Sequence, residues 1–322
     1  MTSRPRVVVT RRLPAPVEEE LAHRFDVELN TEDQPLGRAG LERALGGADA
    51  LLCTVTDRLT AEVLAVEPLR ARILANYGVG FNHIDLDAAR RRSLTVTNTP
   101  EVLTDDTADD AVMLLLMVAR RAGEGEREVR AGRWTGWRPT HLLGTKVSGK
   151  TLGLVGFGRI ARAVATRAAG FGMRVLYHDP YPPPAGAPTA PGTGVPTLDD
   201  LIGQADFLSL HCPATPETRH LMDARRLALM RRTAFLINTA RGDVVDEAAL
   251  VAALRAGAIA GAGLDVYERE PTVSPELLAM QNVVLLPHLG SATQETRVAM
   301  GLRALENLRA FFDGAPPRDK VV

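Results

Sequence analysis

Apolar residues recur along the chain in two alternating rhythms: short β-branched runs, and stretches spaced at three and four residues. In the first hundred residues the runs fall at 7–10, 25–29, 50–55, 73–76 and 94–98, with helical patterns between them. Such alternation predicts a parallel sheet flanked by helices. At Thr104 the rhythm changes to one long helix. Thr104 is placed to cap it, Asp105 and Asp106 face the positive end of its dipole, and Val112, Leu115, Leu116 and Ala119 share an apolar face that Gly123 ends. A second alternating series starts at Lys150, with a strand at 151–155, a helix at 159–169 closed by Gly170, and strands at 174–177, 207–211, 234–239, 263–266 and 283–286. The Pro- and Gly-rich stretch 180–196 reads as a surface loop, and no repeat of fixed period is present.

A chain of 322 residues exceeds what one hydrophobic core serves, so two domains are expected. The formal charge of -1, with both signs scattered through both halves, leaves no polybasic face for nucleic acid or an anionic membrane and points to a small-molecule partner. Cys53 and Cys212 lie far apart and form neither a disulfide framework nor a metal-binding spacing, which suits a reducing cytoplasm and predicts no metal. The N-terminus lacks the apolar length of a secretory signal, and the longest apolar run, 111–119, is too short to span a bilayer. A soluble cytoplasmic protein is therefore expected.

The segment GLVGFGRIA at 153–161 follows a predicted strand and opens a predicted helix. That context turns a loose glycine spacing into a dinucleotide fingerprint. Gly156 permits the tight turn, Gly158 lets the backbone approach a pyrophosphate, and Ala161 allows the helix to pack closely on the strand. The N–H groups of Arg159 and Ile160, at the positive end of the helix, are placed to meet phosphates. Asp179 ends the next strand, 23 residues after Gly156, where a carboxylate accepts hydrogen bonds from an adenosine ribose and repels a 2′-phosphate. Pro180 and Tyr181 follow it with no Arg to pair such a phosphate, so NAD is expected rather than NADP.

Three further residues come from predicted strand ends, where ligands of doubly wound sheets bind. Arg241 lies in NTARG at 238–242, and its planar fork suits bidentate contact with a carboxylate. Glu270 lies in GLDVYEREP at 263–271 and His288 in PHLGSAT at 287–293. Singly, each has a plain structural reading: a surface charge before a glycine, a turn residue before Pro271, a satisfied core histidine. Together, beside a nucleotide fingerprint, they supply what reduction of a 2-keto acid needs: a cation for the carboxylate and carbonyl, a proton donor, and a group to tune that donor.

Here the chain resembles a known family, the D-isomer-specific 2-hydroxyacid dehydrogenases, over nearly its whole length. The family's Arg, Glu and His fall on Arg241, Glu270 and His288, at intervals of 29 and 18 residues that match the family's spacing. The resemblance implies that His288 donates the proton to the carbonyl, that Glu270 hydrogen-bonds the imidazole and keeps its pKa high, and that Arg241 orients and polarises the substrate. It also implies that Asp265 lies near the nicotinamide, and that Thr104, Thr239 and Ala240 are cofactor contacts. Cys212 would line the adenine side, although a buried structural thiol is the plainer reading. The loop NYGVGFNHID at 76–85 resembles the family's substrate loop, in which the backbone N–H groups of Val79 and Gly80 hold the substrate carboxylate; a plain strand-to-helix turn explains the same glycines.

The segments VLTDDTAD at 102–109, RWTGW at 133–137 and GSATQETR at 290–297 resemble the glyoxylate and hydroxypyruvate reductase branch. In that branch such a Trp reaches the partner subunit's site, which makes Trp137 a candidate substrate-binding residue across a homodimer; simple packing at an interface is the equal alternative. Asp179 departs from the branch, whose reductases often carry a basic, NADP-type sequence there. D-3-phosphoglycerate or another D-2-hydroxy acid is the alternative substrate. Formate and phosphite are disfavoured, because those relatives carry Gln in place of the Glu partner and Lys where Val79 stands. From a different class, the alternative is a non-catalytic NAD-sensing regulator on the same fold, against which the intact triad argues. The implied fold class is α/β with two doubly wound parallel-sheet domains: a Rossmann dinucleotide domain at 103–289, inserted in a flavodoxin-like substrate domain made of 1–102 plus 290–322.

Overall fold

A computed structural model describes residues 4–181 and 189–322, and the chain divides into two compact units, Met1–Leu103 with Ala292–Val322, and Thr104–Ser291. The first unit is built on β1 (Arg6–Val9), β2 (Asp26–Glu28), β3 (Ala50–Cys53), β4 (Ile73–Asn76) and β5 (Thr95–Thr97), all parallel, in the order β2-β1-β3-β4-β5. That order is the flavodoxin-like one. β3 and β4 are buried at every position, as expected of a parallel sheet covered on both faces, which is why their apolar runs are unbroken. The helix Gln294–Phe312 packs on the helix Ala15–Arg24 through Gly301, where an added Cβ would stand 2.5 Å from Val17. Beyond it the chain returns antiparallel to β5, with Val321 N donating to Val96 O and Val96 N to Val322 O.

The second unit contains β6 (Thr151–Val155), β7 (Arg174–His178), β8 (Thr193–Gly194), β9 (Phe207–Leu210), β10 (Phe235–Asn238), β11 (Gly261–Leu264) and β12 (Val283–Leu285). The sheet is parallel, in the order β12-β11-β10-β9-β6-β7-β8. The winding reverses between β6 and β9, and ligands of such sheets bind beyond the strand ends at that switch. Alternate strand residues feed two cores. Phe235 and Ile237 pack with Leu114 and Val164 from the helices Thr104–Ala119 and Arg159–Gly170, while Leu236 packs with Leu201 and Leu250 on the other face.

Several boundaries differ from the sequence expectation. The long helix takes in Thr104 itself and stops at Ala119; Arg121 turns the chain with a left-handed φ of 53°, and Gly123 lies inside the next helix, Ala122–Arg130. The stop is set by the end of the apolar stripe and not by the glycine. The strands expected at 207–211 and 234–239 are shorter, and the one at 263–266 is displaced to Gly261–Leu264, so His211, Cys212, Thr239 and Asp265 stand beyond the ladder. β11 begins on glycines because its neighbours are close: an added Cβ at Gly261 would meet Asn282 O at 2.4 Å, and one at Gly263 would meet Leu114 Cβ at 3.1 Å. In the stretch 180–196, residues 182–188 lie outside the described residues, and Thr193–Gly194 forms the edge strand β8 where a loop was expected. No helix among the described residues is long and apolar enough to cross a membrane.

Candidate active site

β6 runs into Gly156, whose φ of 86° suits glycine and whose added Cβ would stand 3.1 to 3.2 Å from the backbone of His211 and Cys212. Gly158 then caps the helix Arg159–Gly170, and that helix has neither a capping side chain nor an acidic residue in its first turn. Among the described residues no side chain caps its leading N–H groups, those of Arg159 and Ile160 among them, and an added Cβ at Gly158 meets nothing within 4 Å. Asp179, just past β7, accepts from Phe157 N at 2.7 Å and Tyr181 N at 2.9 Å, which ties the glycine loop to the next strand. Burial pushes the Cys212 thiol up to about 11, so it remains a thiol at neutral pH. An open, dipolar helix start with a carboxylate one strand away fits a dinucleotide.

At the ends of β10, β11 and β12 three loops converge. Asn238 folds the first of them, donating from Nδ2 to Arg241 O at 2.9 Å and accepting Ala240 N on Oδ1 at 3.0 Å. Gly242 follows, so close to the second loop that an added Cβ would stand 1.9 Å from the Tyr267 carbonyl carbon. Tyr267 N donates to Glu270 Oε1 at 3.0 Å, and the Tyr267 hydroxyl donates to Leu286 O at 2.8 Å, joining the second loop to the third. Glu270 Oε2 lies 2.8 Å from His288 Nδ1.

His288 has φ 59°, in the left-handed region that few non-glycine residues occupy. Asp265 holds the loop there. His288 N donates to Asp265 O at 3.0 Å, and the next two amides, Leu289 N and Gly290 N, donate to Oδ1 at 2.6 Å and Oδ2 at 2.9 Å. Thr107 Oγ1 donates to Gly290 O at 2.7 Å, so the long helix clamps the same loop.

The charges follow from these contacts. Burial works against ionised Glu270, yet the His288 hydrogen bond and charge, the Tyr267 amide and Arg241 outweigh it and hold the carboxyl below its usual range. An ionised carboxylate at Nδ1 places a proton on Nδ1 and leaves Nε2, on the far side of the ring, for a ligand. Burial lowers the pKa of Arg241 against the pull of Glu270 and Asp243, but a guanidinium stays charged in protein. The side chains of His288 and Glu270 are 32% and 33% exposed, open enough for a small solute and for proton exchange with solvent. No group of three or more His, Cys, Asp or Glu able to hold a metal occurs among the described residues.

Residues 112–290 match the family signature described as "D-isomer specific 2-hydroxyacid dehydrogenase, NAD binding domain". The chain belongs to the D-isomer-specific 2-hydroxyacid dehydrogenases. As a member it is an oxidoreductase acting on the CH–OH group of 2-hydroxy acids, with an NAD-binding domain. A glyoxylate reductase from Thermococcus kodakarensis is 46% identical over 318 residues, covering 98% of this chain and 95% of that protein. Among solved structures, an NADPH-dependent glyoxylate/hydroxypyruvate reductase from Sinorhizobium meliloti in complex with NADP and malonate superposes with a TM-score of 0.88 at 36% identity, covering 99% of this chain and 97% of that one. A glyoxylate reductase from Paecilomyes thermophila gives 0.87 at 32% identity, covering 100% and 99%.

In this dehydrogenase the sequence-predicted residues fall into separate groups. Arg241, Glu270, His288, Asp265, Thr239 and Ala240 gather past β10, β11 and β12, and Gly156, Gly158, Arg159, Ile160, Asp179 and Cys212 lie at the same edge of the sheet, past β6, β7 and β9. Thr104 opens the long helix, half-buried. Trp137 stands apart, 82% exposed. Val79 and Gly80 belong to the first unit, past β4, where Asn98 Nδ2 donates to Val79 O at 2.9 Å and Asn76 Nδ2 to Gly80 O at 3.0 Å, fixing that loop. Sequence reasoning passed over Asn238, Gly242, Tyr267 and Asp110. For Asp110 a signal existed, since it is an acid on the buried face that Thr107 and Leu114 share.

Proposed function

We propose that this dehydrogenase reduces a small 2-keto acid, glyoxylate or hydroxypyruvate, using NADH, with His288 as the proton donor. The observation that carries the reading is the 2.8 Å contact of ionised Glu270 with His288 Nδ1 beside the Arg241 loop, on the sheet edge that also carries the glycine loop. Arg241 takes the substrate carboxylate in its planar fork and polarises the adjoining carbonyl. Nicotinamide, when bound, supplies the hydride that C2 accepts. His288 Nε2 gives the proton to the carbonyl oxygen, so that C=O plus hydride plus proton becomes CH–OH, and the imidazole, left neutral, is reprotonated from solvent.

Glyoxylate reductases 44 to 46% identical over nearly the whole chain support this substrate class. The preference for NADH over NADPH rests on Asp179, whose charge opposes a 2′-phosphate. Gly156, Gly158, Arg159 and Ile160 hold the pyrophosphate in this reading. The enzyme acts as a homodimer, with Trp137, so exposed in a single chain, offered to the partner subunit.

Steady-state kinetics with glyoxylate, hydroxypyruvate, pyruvate and phosphohydroxypyruvate, each with NADH and NADPH, test the proposal. The highest kcat/KM is expected for glyoxylate or hydroxypyruvate with NADH. A preference for phosphohydroxypyruvate overturns the substrate assignment, and a preference for NADPH overturns the coenzyme assignment.

A further inference from the structure

We infer that Asp110 and Asp265 hold a single proton between them, and that this proton leaves when NAD+ binds and stays when NADH binds. The inference rests on the function proposed above: hydride transfer to the carbonyl that His288 protonates brings the nicotinamide ring close to Asp265, which holds the His288 loop. Asp110 is 5% exposed, on a helix whose other buried residues are apolar apart from Thr107, and the Thr107 hydroxyl is spent on Gly290 O. Gly263 lets Leu114 approach β11 closely, and one helical turn earlier Asp110 comes within reach of Asp265, two residues beyond Gly263.

Among the described residues no donor reaches either carboxyl oxygen of Asp110. Its polar neighbour is itself an acid whose two oxygens already accept Leu289 N and Gly290 N. Two buried carboxyls near enough to repel one another ionise one at a time, and a proton on one supplies a hydrogen bond that no other described residue offers. Burial, and then the charge of Asp265, push Asp110 up to about 7, while burial also raises Asp265.

The other charges around the pair are few. His288, beyond β12, is the cation that opposes the shift, and Glu270 adds negative potential at Asp265. Arg241, beyond β10, acts on Glu270. Arg167, from the helix Arg159–Gly170, is engaged by Asp105 and Asp109. His211, beyond β9, hydrogen-bonds Ser209 and is held neutral by burial, which lowers it to about 4, so it brings no charge.

Oxidised nicotinamide carries a positive ring that reduced nicotinamide lacks. A second negative charge on the pair therefore favours NAD+ and gives NADH nothing, and by linkage NAD+ expels the shared proton. Acid then favours the NADH-loaded enzyme and alkali the NAD+-loaded one.

The test mixes wild type and Asp110→Asn with NAD+ or NADH in weak buffer with an indicator dye at pH 7, and measures both dissociation constants from pH 6 to 8. Wild type is expected to release protons with NAD+ and none with NADH, and its affinity for NAD+ relative to NADH is expected to rise about tenfold across the range. Asp110→Asn is expected to bind both nucleotides with neither effect. Proton release unchanged in Asp110→Asn overturns the inference, and so does no release by wild type, a measurement that stands even if the variant does not fold. Failure of wild type to bind either nucleotide contradicts the proposed function instead.

Discussion

Glu270 divides its two oxygens between a backbone amide and an imidazole, Tyr267 N on one side and His288 Nδ1 on the other. Because the folded carboxyl sits below its usual range, its stabilising effect is present above the ordinary carboxylate pKa and is lost as pH falls through the lowered folded value. Glu270→Gln is therefore expected to lower Tm relative to wild type at pH 7 and to converge with it near pH 3, as thermal melts at the two pH values would show. That Arg241, Glu270 and His288 come together was legible in the sequence because each stands shortly past a predicted strand end. The service of Asp265 to the His288 loop was not, since it depends on where Leu289 and Gly290 fold back. Nor was the pairing of Asp110 with Asp265, which exists only once the helix has packed on β11.

At the scale of elements, the site depends on loops pressed together by missing side chains. Gly242 is the tightest case, and Gly242→Ala, forced against the Tyr267 backbone, is expected to cost about 3 kcal/mol and to reduce turnover, measured by denaturant unfolding and by kinetics. Wild-type stability in that variant would show that the loops are not locked together as described. Continuous apolar runs made β3, β4, β6 and β9 readable, because parallel strands are buried on both faces. β8 and the start of β11 were not readable: one is a two-residue edge strand, and the other is made of glycines that only close neighbours explain. The stop at Ala119 was misplaced because a glycine was given more weight than the end of the apolar stripe.

At the scale of the molecule, two parallel sheets, one in the flavodoxin-like order and one doubly wound about β6 and β9, follow from the alternating pattern of the chain. The winding sets Asp179 one strand from the glycine loop, where it holds Phe157 N. Asp179→Asn keeps an acceptor for that amide and removes the charge, so kcat/KM with NADPH relative to NADH is expected to rise about tenfold or more. An unchanged ratio would remove Asp179 from coenzyme selection. The central claim is that the imidazole held by Glu270 passes the proton to a 2-keto acid, and the most direct measurement is NADH oxidation with glyoxylate by wild type and by His288→Gln. Wild type is expected to turn over and His288→Gln to lose about 100-fold or more in kcat while still binding NADH. Turnover by His288→Gln at the wild-type rate would contradict the account.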